Sequence, residues 1–319
     1  MRKTSPFKKF KYRLLLWSLV LLAPFFTWVF WSETHPSTER EVRLQMHEWL
    51  EVQFPEQMSL EDGWHGMHTK HTTDALQPIG VVLIHGLDEP GNIWQDLLPQ
   101  LQALDLNVWE FHYPNDHAVD MSANYLAEQW PSLPKDVDLV LIGHSMGGLV
   151  AREFVSKHRH PVSETELVDG ASVKSIILIG TPNNGSEWAR MRGFLELRDH
   201  LTLNNERHLD AFSGLRDGTG AAKLDLRPGS EFLEALNQRA WPSQVETHVI
   251  AGKLLDLDDM IGDGVVPLDS ALLPDGAASE VVLDASHRGL LVRLMPSQDT
   301  PPAIPIILEH LKHLIDAGA

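Results

Sequence analysis

The chain contains no cysteine in 319 residues. That excludes disulfides, thiol nucleophiles and Cys-ligated zinc or iron–sulfur centres. A chain of this length still buries a core without covalent staples. Basic residues are also scarce once the first stretch is set aside. Residues 1–13 hold Arg2, Lys3, Lys8, Lys9, Lys11 and Arg13 and no acid, which leaves 20 basic against 44 acidic residues for the remainder. A body so acidic lacks the Lys/Arg face that phosphate binding needs, so nucleic acid is excluded as a partner. No internal repeat or low-complexity tract is present, and the 43% hydrophobic content is that of a globular chain.

One long apolar run stands out at residues 14–31, with 18 residues and no charge. As a helix it reaches about 27 Å, close to the thickness of a hydrocarbon core. Trp17, Trp28 and Trp31 lie near its ends, where indole rings favour the interface. The expectation is a basic cytoplasmic tail at 1–13 and a transmembrane signal-anchor at 14–31. The membrane is then a partner through this single helix, and the rest of the chain lies on the periplasmic or extracellular side. The alternative is a cleaved signal peptide and a secreted protein. The end of the run is bulky (Thr27-Trp-Val-Phe-Trp31), without the small residues of a cleavage site, which favours the anchor.

Residues 32–75 read as a linker and a pre-domain helix. Thr38-Glu-Arg-Glu41 has capping-box spacing, Val42, Met46, Trp49, Leu50 and Val52 follow at helical intervals, and Pro55 ends the pattern. His65, His68 and His71 lie in a polar stretch with Gly63 and Gly66, which argues for loop histidines rather than a helical metal site. From residue 76 to 319 short apolar runs alternate with amphipathic segments. Strands are expected at 81–84, 107–111, 137–142, 175–179, 247–251 and 280–283. Helices are expected near 92–103, 121–129, 146–157, 231–239 and 302–316. This alternation predicts an α/β fold, a mostly parallel sheet with helices on both faces. Residues 186–238 break the rhythm and read as a cap or lid insertion.

The segment Gly143-His-Ser-Met-Gly147 ends an apolar strand and opens a helix pattern. G-x-S-x-G in that setting places Ser145 on a sharp turn above the sheet edge, as a nucleophile. A serine hydroxyl needs a base, and the base needs an orienting acid. Among the downstream histidines, His287 alone follows the last expected strand in a short loop. His310 and His313 fall in the amphipathic C-terminal helix and read as surface residues, and His248 falls in a strand. Asp263 sits between Gly262 and Gly264 in a loop after the preceding strand, a geometry that projects a carboxylate. Asp256, Asp258 and Asp259 are neighbours that leave a weak calcium site open as an alternative. Acyl transfer also needs amide donors for the developing oxyanion. They are expected at Met146, next after the nucleophile, and at Leu87 in Ile84-His-Gly-Leu-Asp88, with His85 shaping that loop.

With these pieces in order, the sequence resembles the α/β-hydrolase superfamily, and within it the bacterial lipase/esterase branch. The resemblance rests on His85-Gly-Leu87, Gly143-His-Ser-Met-Gly-Gly148, Gly180-Thr-Pro-Asn-Asn-Gly-Ser186, Gly262-Asp-Gly-Val-Val-Pro267 and Ser286-His287. It implies a hydrolase of carboxylic esters that uses Ser145, His287 and Asp263, takes an ester or lipid with an acyl chain, and needs no organic cofactor. The same residues leave acyltransferase, thioesterase and amidase chemistry open, and, from another class, a non-catalytic binding protein that retains the fold.

Overall fold

The structure is a computed structural model that describes residues 23, 27, 28, 30–60, 64–73, 77–87, 92–162, 165–188, 213–254, 261–273, 276–295 and 299–318. Seven strands form one sheet: β1 (Gly66–His71), β2 (Ile79–Ile84), β3 (Asn107–His112), β4 (Asp138–His144), β5 (Val173–Ile179), β6 (Glu246–Lys253) and β7 (Ser279–Asp284). Their spatial order is β1-β3-β2-β4-β5-β6-β7. β2 to β7 are mutually parallel, and β1 pairs antiparallel with β3 at one edge.

The uninterrupted apolar strands follow from burial on both faces. Val82, Ile84, Phe111, Leu139 and Leu141 enter one core with α3 (Val119–Gln129) and α4 (Met146–Glu153). Val81, Leu83, Val108, Val140 and Ile142 enter the other with α2 (Leu98–Ala103) and the C-terminal helix, here called α9 (Ala303–Gly318). α9 presents Ile304, Ile307, Leu311 and Leu314 at 3.6-residue spacing, all buried. Each such side chain contributes about 1.5–3 kcal/mol by leaving water.

Two expectations for residues 32–75 change. Helix α1 (Pro36–Gln53) begins at Pro36, and no side chain caps it. Proline at the first helical position is already set to φ near −65°, so the helix starts there and Thr38 lies inside it. The stretch expected to be polar loop supplies β1, which holds His68 and His71. An edge strand with polar residues on both faces carries no period-2 apolar signal, and its register comes from pairing with β3.

α1 docks through polar groups. Leu50 is its one buried apolar residue, while Val42, Met46, Trp49 and Val52 are exposed. Arg40 Nε donates to Asp225 Oδ1 at 2.6 Å and its terminal nitrogen donates to Asp120 Oδ1 at 2.8 Å. Asp225 Oδ2 accepts the Val119 amide at 2.8 Å and so caps the start of α3 from a distant part of the chain. Glu39, fully buried, pairs with Arg43 at 2.6 Å and accepts from the Ser32 hydroxyl.

Where it is described, the interval 186–238 carries three short helices, α5 (Ser213–Asp217), α6 (Ala221–Asp225) and α7 (Glu231–Gln238), joined by turns. A further short helix, α8 (Leu268–Ala271), follows β6. Among the described residues no helix is long and apolar enough to cross a membrane. Most of the run at 14–31 lies outside the described residues, and Asp256, Asp258 and Asp259 lie wholly outside them.

Candidate active site

β4 ends at His144 and α4 begins at Met146, so Ser145 alone makes the turn. Its backbone is at φ 54°, ψ −127°, a region that L-residues rarely adopt and that costs about 1–3 kcal/mol. The turn is held by the Ser145 amide, which donates to Ile179 O at 2.8 Å. Gly143 and Gly147 are where the sequence pattern requires them. A Cβ on Gly143 would stand 2.5 Å from Gly148 N, and one on Gly147 would overlap the Ile84 carbonyl oxygen. The helix backbone is thus packed directly on the end of β2.

Asp263 lies in the loop after β6, between Gly262 and Gly264, which both take positive φ (51° and 93°). The carboxylate is buried and its geometry is over-determined. Oδ1 accepts the amides of Val265 at 2.9 Å and Val266 at 2.8 Å. Oδ2 lies 2.7 Å from His287 Nδ1, and the Asp263 carbonyl accepts the His287 amide at 2.9 Å. His287 follows β7 and its side chain is 12% exposed. With Nδ1 tied to a carboxylate, Nε2 is the nitrogen left for proton transfer.

Neighbouring groups fix the pair beside the serine turn. The ring of His144, adjacent to Ser145, lies 4.6 Å from that of His287, and His144 Nε2 is 3.2 Å from the His287 carbonyl oxygen. Gly180, at φ 54°, leaves the space behind the imidazole: a Cβ there would stand 3.0 Å from His287 Nδ1 and 3.1 Å from Asp263 Oδ2. The Gly180–Ser186 loop is itself anchored. Asn183, fully buried, accepts from Arg152 at 2.9 Å and donates to Ala271 O at 2.7 Å, and the Ser186 hydroxyl donates to Val265 O. Burial lowers the Arg152 guanidinium to about 10.

The loop after β2 faces the serine. A Cβ on Gly86 would stand 2.7 Å from Ser145 Cβ. His85 Nδ1 lies 2.9 Å from Gly86 O, and Tyr113, stacked on the His85 ring, donates from its hydroxyl to His85 O at 2.6 Å. Leu87 is buried one residue further on. Met146 is the first residue of α4, so its amide has no carbonyl within the helix to bond to. Leu87, Ser145, Asp263 and His287 lie on loops and turns at the carboxyl ends of the parallel strands, Met146 opens α4 beside them, and His287 and Asp263 are in direct contact. His144, Gly180 and Asn183 carried no assigned role in the sequence reading. The Gly-Thr-Pro-Asn-Asn-Gly-Ser pattern was the available signal for the last two.

The sequence profile of the alpha/beta hydrolase family matches residues 81–300. By sequence, no curated protein matches the chain. By structure, the chain is similar to a Bacillus licheniformis lipase in its mature form, at 14% identity over 77% of this chain and 97% of the other, with a TM-score of 0.53. It is similar to the Staphylococcus hyicus lipase at 15% identity, covering 77% and 98%, with a TM-score of 0.54. It is also similar to a type II thioesterase from the yersiniabactin biosynthetic pathway at 15% identity, covering 79% and 98%, with a TM-score of 0.51.

Proposed function

The chain belongs to the alpha/beta hydrolase family, and within it we propose a serine hydrolase of carboxylic esters, of lipase/esterase type, that works through an acyl-enzyme. The observation that carries this reading is the Asp263–His287 pair, with both oxygens of the carboxylate engaged, beside a serine held in a strained turn. His287 Nε2 takes the proton as Ser145 Oγ attacks the ester carbonyl. The amides of Leu87 and Met146 receive the oxyanion. Asp263 holds the imidazole in the Nδ1–H tautomer and stabilises its cation. The alcohol leaves with the proton from His287, and water then repeats the sequence to release the acid.

The test is labelling by a fluorophosphonate, with wild type compared with Ser145→Ala. Labelling confined to wild type is the expected result. Labelling that survives the substitution overturns the assignment of the serine. A thioester substrate is the second reading, favoured by the similarity to a thioesterase. Matched ester and thioester substrates of one acyl chain decide between them through kcat/KM.

The proposal includes a membrane location. Its support is the uncharged run at 14–31 behind a basic tail, and the exposed Val42, Met46, Trp49 and Val52 on the helix that follows. The catalytic part then acts on the non-cytoplasmic side. Release of the active protein into the soluble fraction without detergent overturns this part of the proposal and leaves the chemistry untouched.

A further inference from the structure

A second cluster of ligating groups lies at the amino ends of the parallel strands, opposite the end that carries Ser145. Glu246 and His248 stand two residues apart at the start of β6, whose far end leads to Asp263. Residues i and i+2 of a strand share a face. On that face α9 brings His310 against them. The expectation of a surface histidine therefore changes: the rings of His248 and His310 have centroids 3.8 Å apart. One ligand atom from each of Glu246, His248 and His310 lies within 4.8 Å of the others, and Glu246 Oε2 is 3.5 Å from His248 Nε2. Ligands held at about 2.0–2.1 Å around a tetrahedral zinc are separated by about 3.4 Å, so this spacing needs little adjustment.

The outer nitrogens of both rings are already engaged. His248 Nδ1 lies 2.7 Å from Ser279 Oγ on β7, and His310 Nε2 lies 3.0 Å from Ser175 Oγ on β5. Each hydroxyl fixes a ring orientation and leaves the other nitrogen for a ligand. His248 Nε2 is buried, with Glu246 Oε2 at 3.5 Å, at the far limit of a hydrogen bond. A buried imidazole nitrogen that faces a carboxylate and a second imidazole, with its other nitrogen hydrogen-bonded, is the arrangement found around metal ions. A histidine placed only for packing has no need of this pair of pinning serines. His248 and His310 border a cavity of about 280 Å³, lined also by Ile177, Val281, Glu309 and His313. That space leaves room for an ion and a water.

We propose that Glu246, His248 and His310 form a binding site for one divalent metal ion of the zinc class, with its fourth position open to the cavity. The site fastens α9 to β6, and through Ser175 and Ser279 to β5 and β7. It sits at the start of β6, whose other end leads to Asp263, and its role is to hold α9 on the sheet, with a water from the cavity completing the coordination.

The test uses the purified full chain in detergent, stripped with a chelator and then given zinc alone. Elemental analysis after desalting is expected to find one zinc per chain and a melting temperature several degrees higher. Cobalt in place of zinc is expected to give the intense visible bands of tetrahedral coordination. His310→Ala and Glu246→Gln are expected to lose the bound metal and the thermal shift. Circular dichroism checks the fold of each, and half-exposed Glu246 makes its variant the milder one. Absence of retained zinc in wild type overturns the proposal. So does a folded Glu246→Gln or His310→Ala chain that keeps the wild-type stoichiometry and cobalt spectrum.

Discussion

Asp263 holds His287 at two points, with its carboxylate 2.7 Å from the ring and its carbonyl on the His287 amide at 2.9 Å. The aspartate therefore sets both the tautomer of the imidazole and the path of its backbone. Asp263→Asn must turn an NH2 toward one of the donors that now meet a carboxylate oxygen. We expect kcat to fall by about 10⁴-fold with KM little changed, and the fold to weaken by about 1–3 kcal/mol. Steady-state kinetics together with denaturant unfolding measures both.

Ser145→Ala removes the hydroxyl proposed as the nucleophile and relieves nothing else of substance in the turn, because the φ of 54° is still imposed by the flanking contacts. Ester hydrolysis should drop by at least about 10⁴-fold with an unchanged melting temperature. Residual turnover near the wild-type rate would mean that another group performs the attack.

Gly180→Ala probes the space behind the imidazole. The added carbon meets His287 Nδ1 at 3.0 Å and sits on a backbone at φ 54°. The strain costs about 1–2 kcal/mol. The ring must move, so kcat should fall at least about tenfold in a protein that still folds. Proton NMR of the His287 Nδ1–H, shifted or broadened relative to wild type, separates a displaced ring from general instability.

Arg40→Ala leaves the Asp225 carboxylate, 1% exposed, without its guanidinium. An uncompensated buried charge costs about 3 kcal/mol or more. Chemical denaturation should show that loss, and Arg40→Ala with Asp225→Asn should recover part of it. A loss confined to a few tenths of a kcal/mol would mean that α1 is not held by this pair.

Acid should destabilise the protein through His117. Burial, aided by the nearby His47 and His65, lowers its imidazole to about 3, while the Arg216 backbone opposes the shift. In the unfolded chain the group titrates near 6.5. Between these values the unfolded state binds one more proton, so stability falls as pH drops, by up to about 1.4 kcal/mol per pH unit. The contribution is complete above about 6.5 and is lost progressively toward 3. His117→Gln should flatten this part of the profile, measured by melting temperature between pH 7 and pH 4.

The parallel strands were legible because burial on both faces demands unbroken apolar runs such as Val81–Ile84. The serine turn and the acid loop were legible because close backbone approach and positive φ demand glycine at Gly147, Gly262 and Gly264. β1 was not, since its polar residues take their place by pairing with β3. The place of His310 was not, because an amphipathic pattern separates the faces of α9 but does not say that a histidine at the boundary meets His248. Nor was the contact of Arg40 with Asp225, which have no local sequence relation.

That contact has a consequence for biosynthesis. Arg40 and Asp225 are separated by 185 residues. At about 5–20 residues per second, translation needs roughly 10–40 s to deliver the second after the first. Helix α1 therefore waits for its partner until well over half of the chain has been made, and its polar face stays in water throughout that interval.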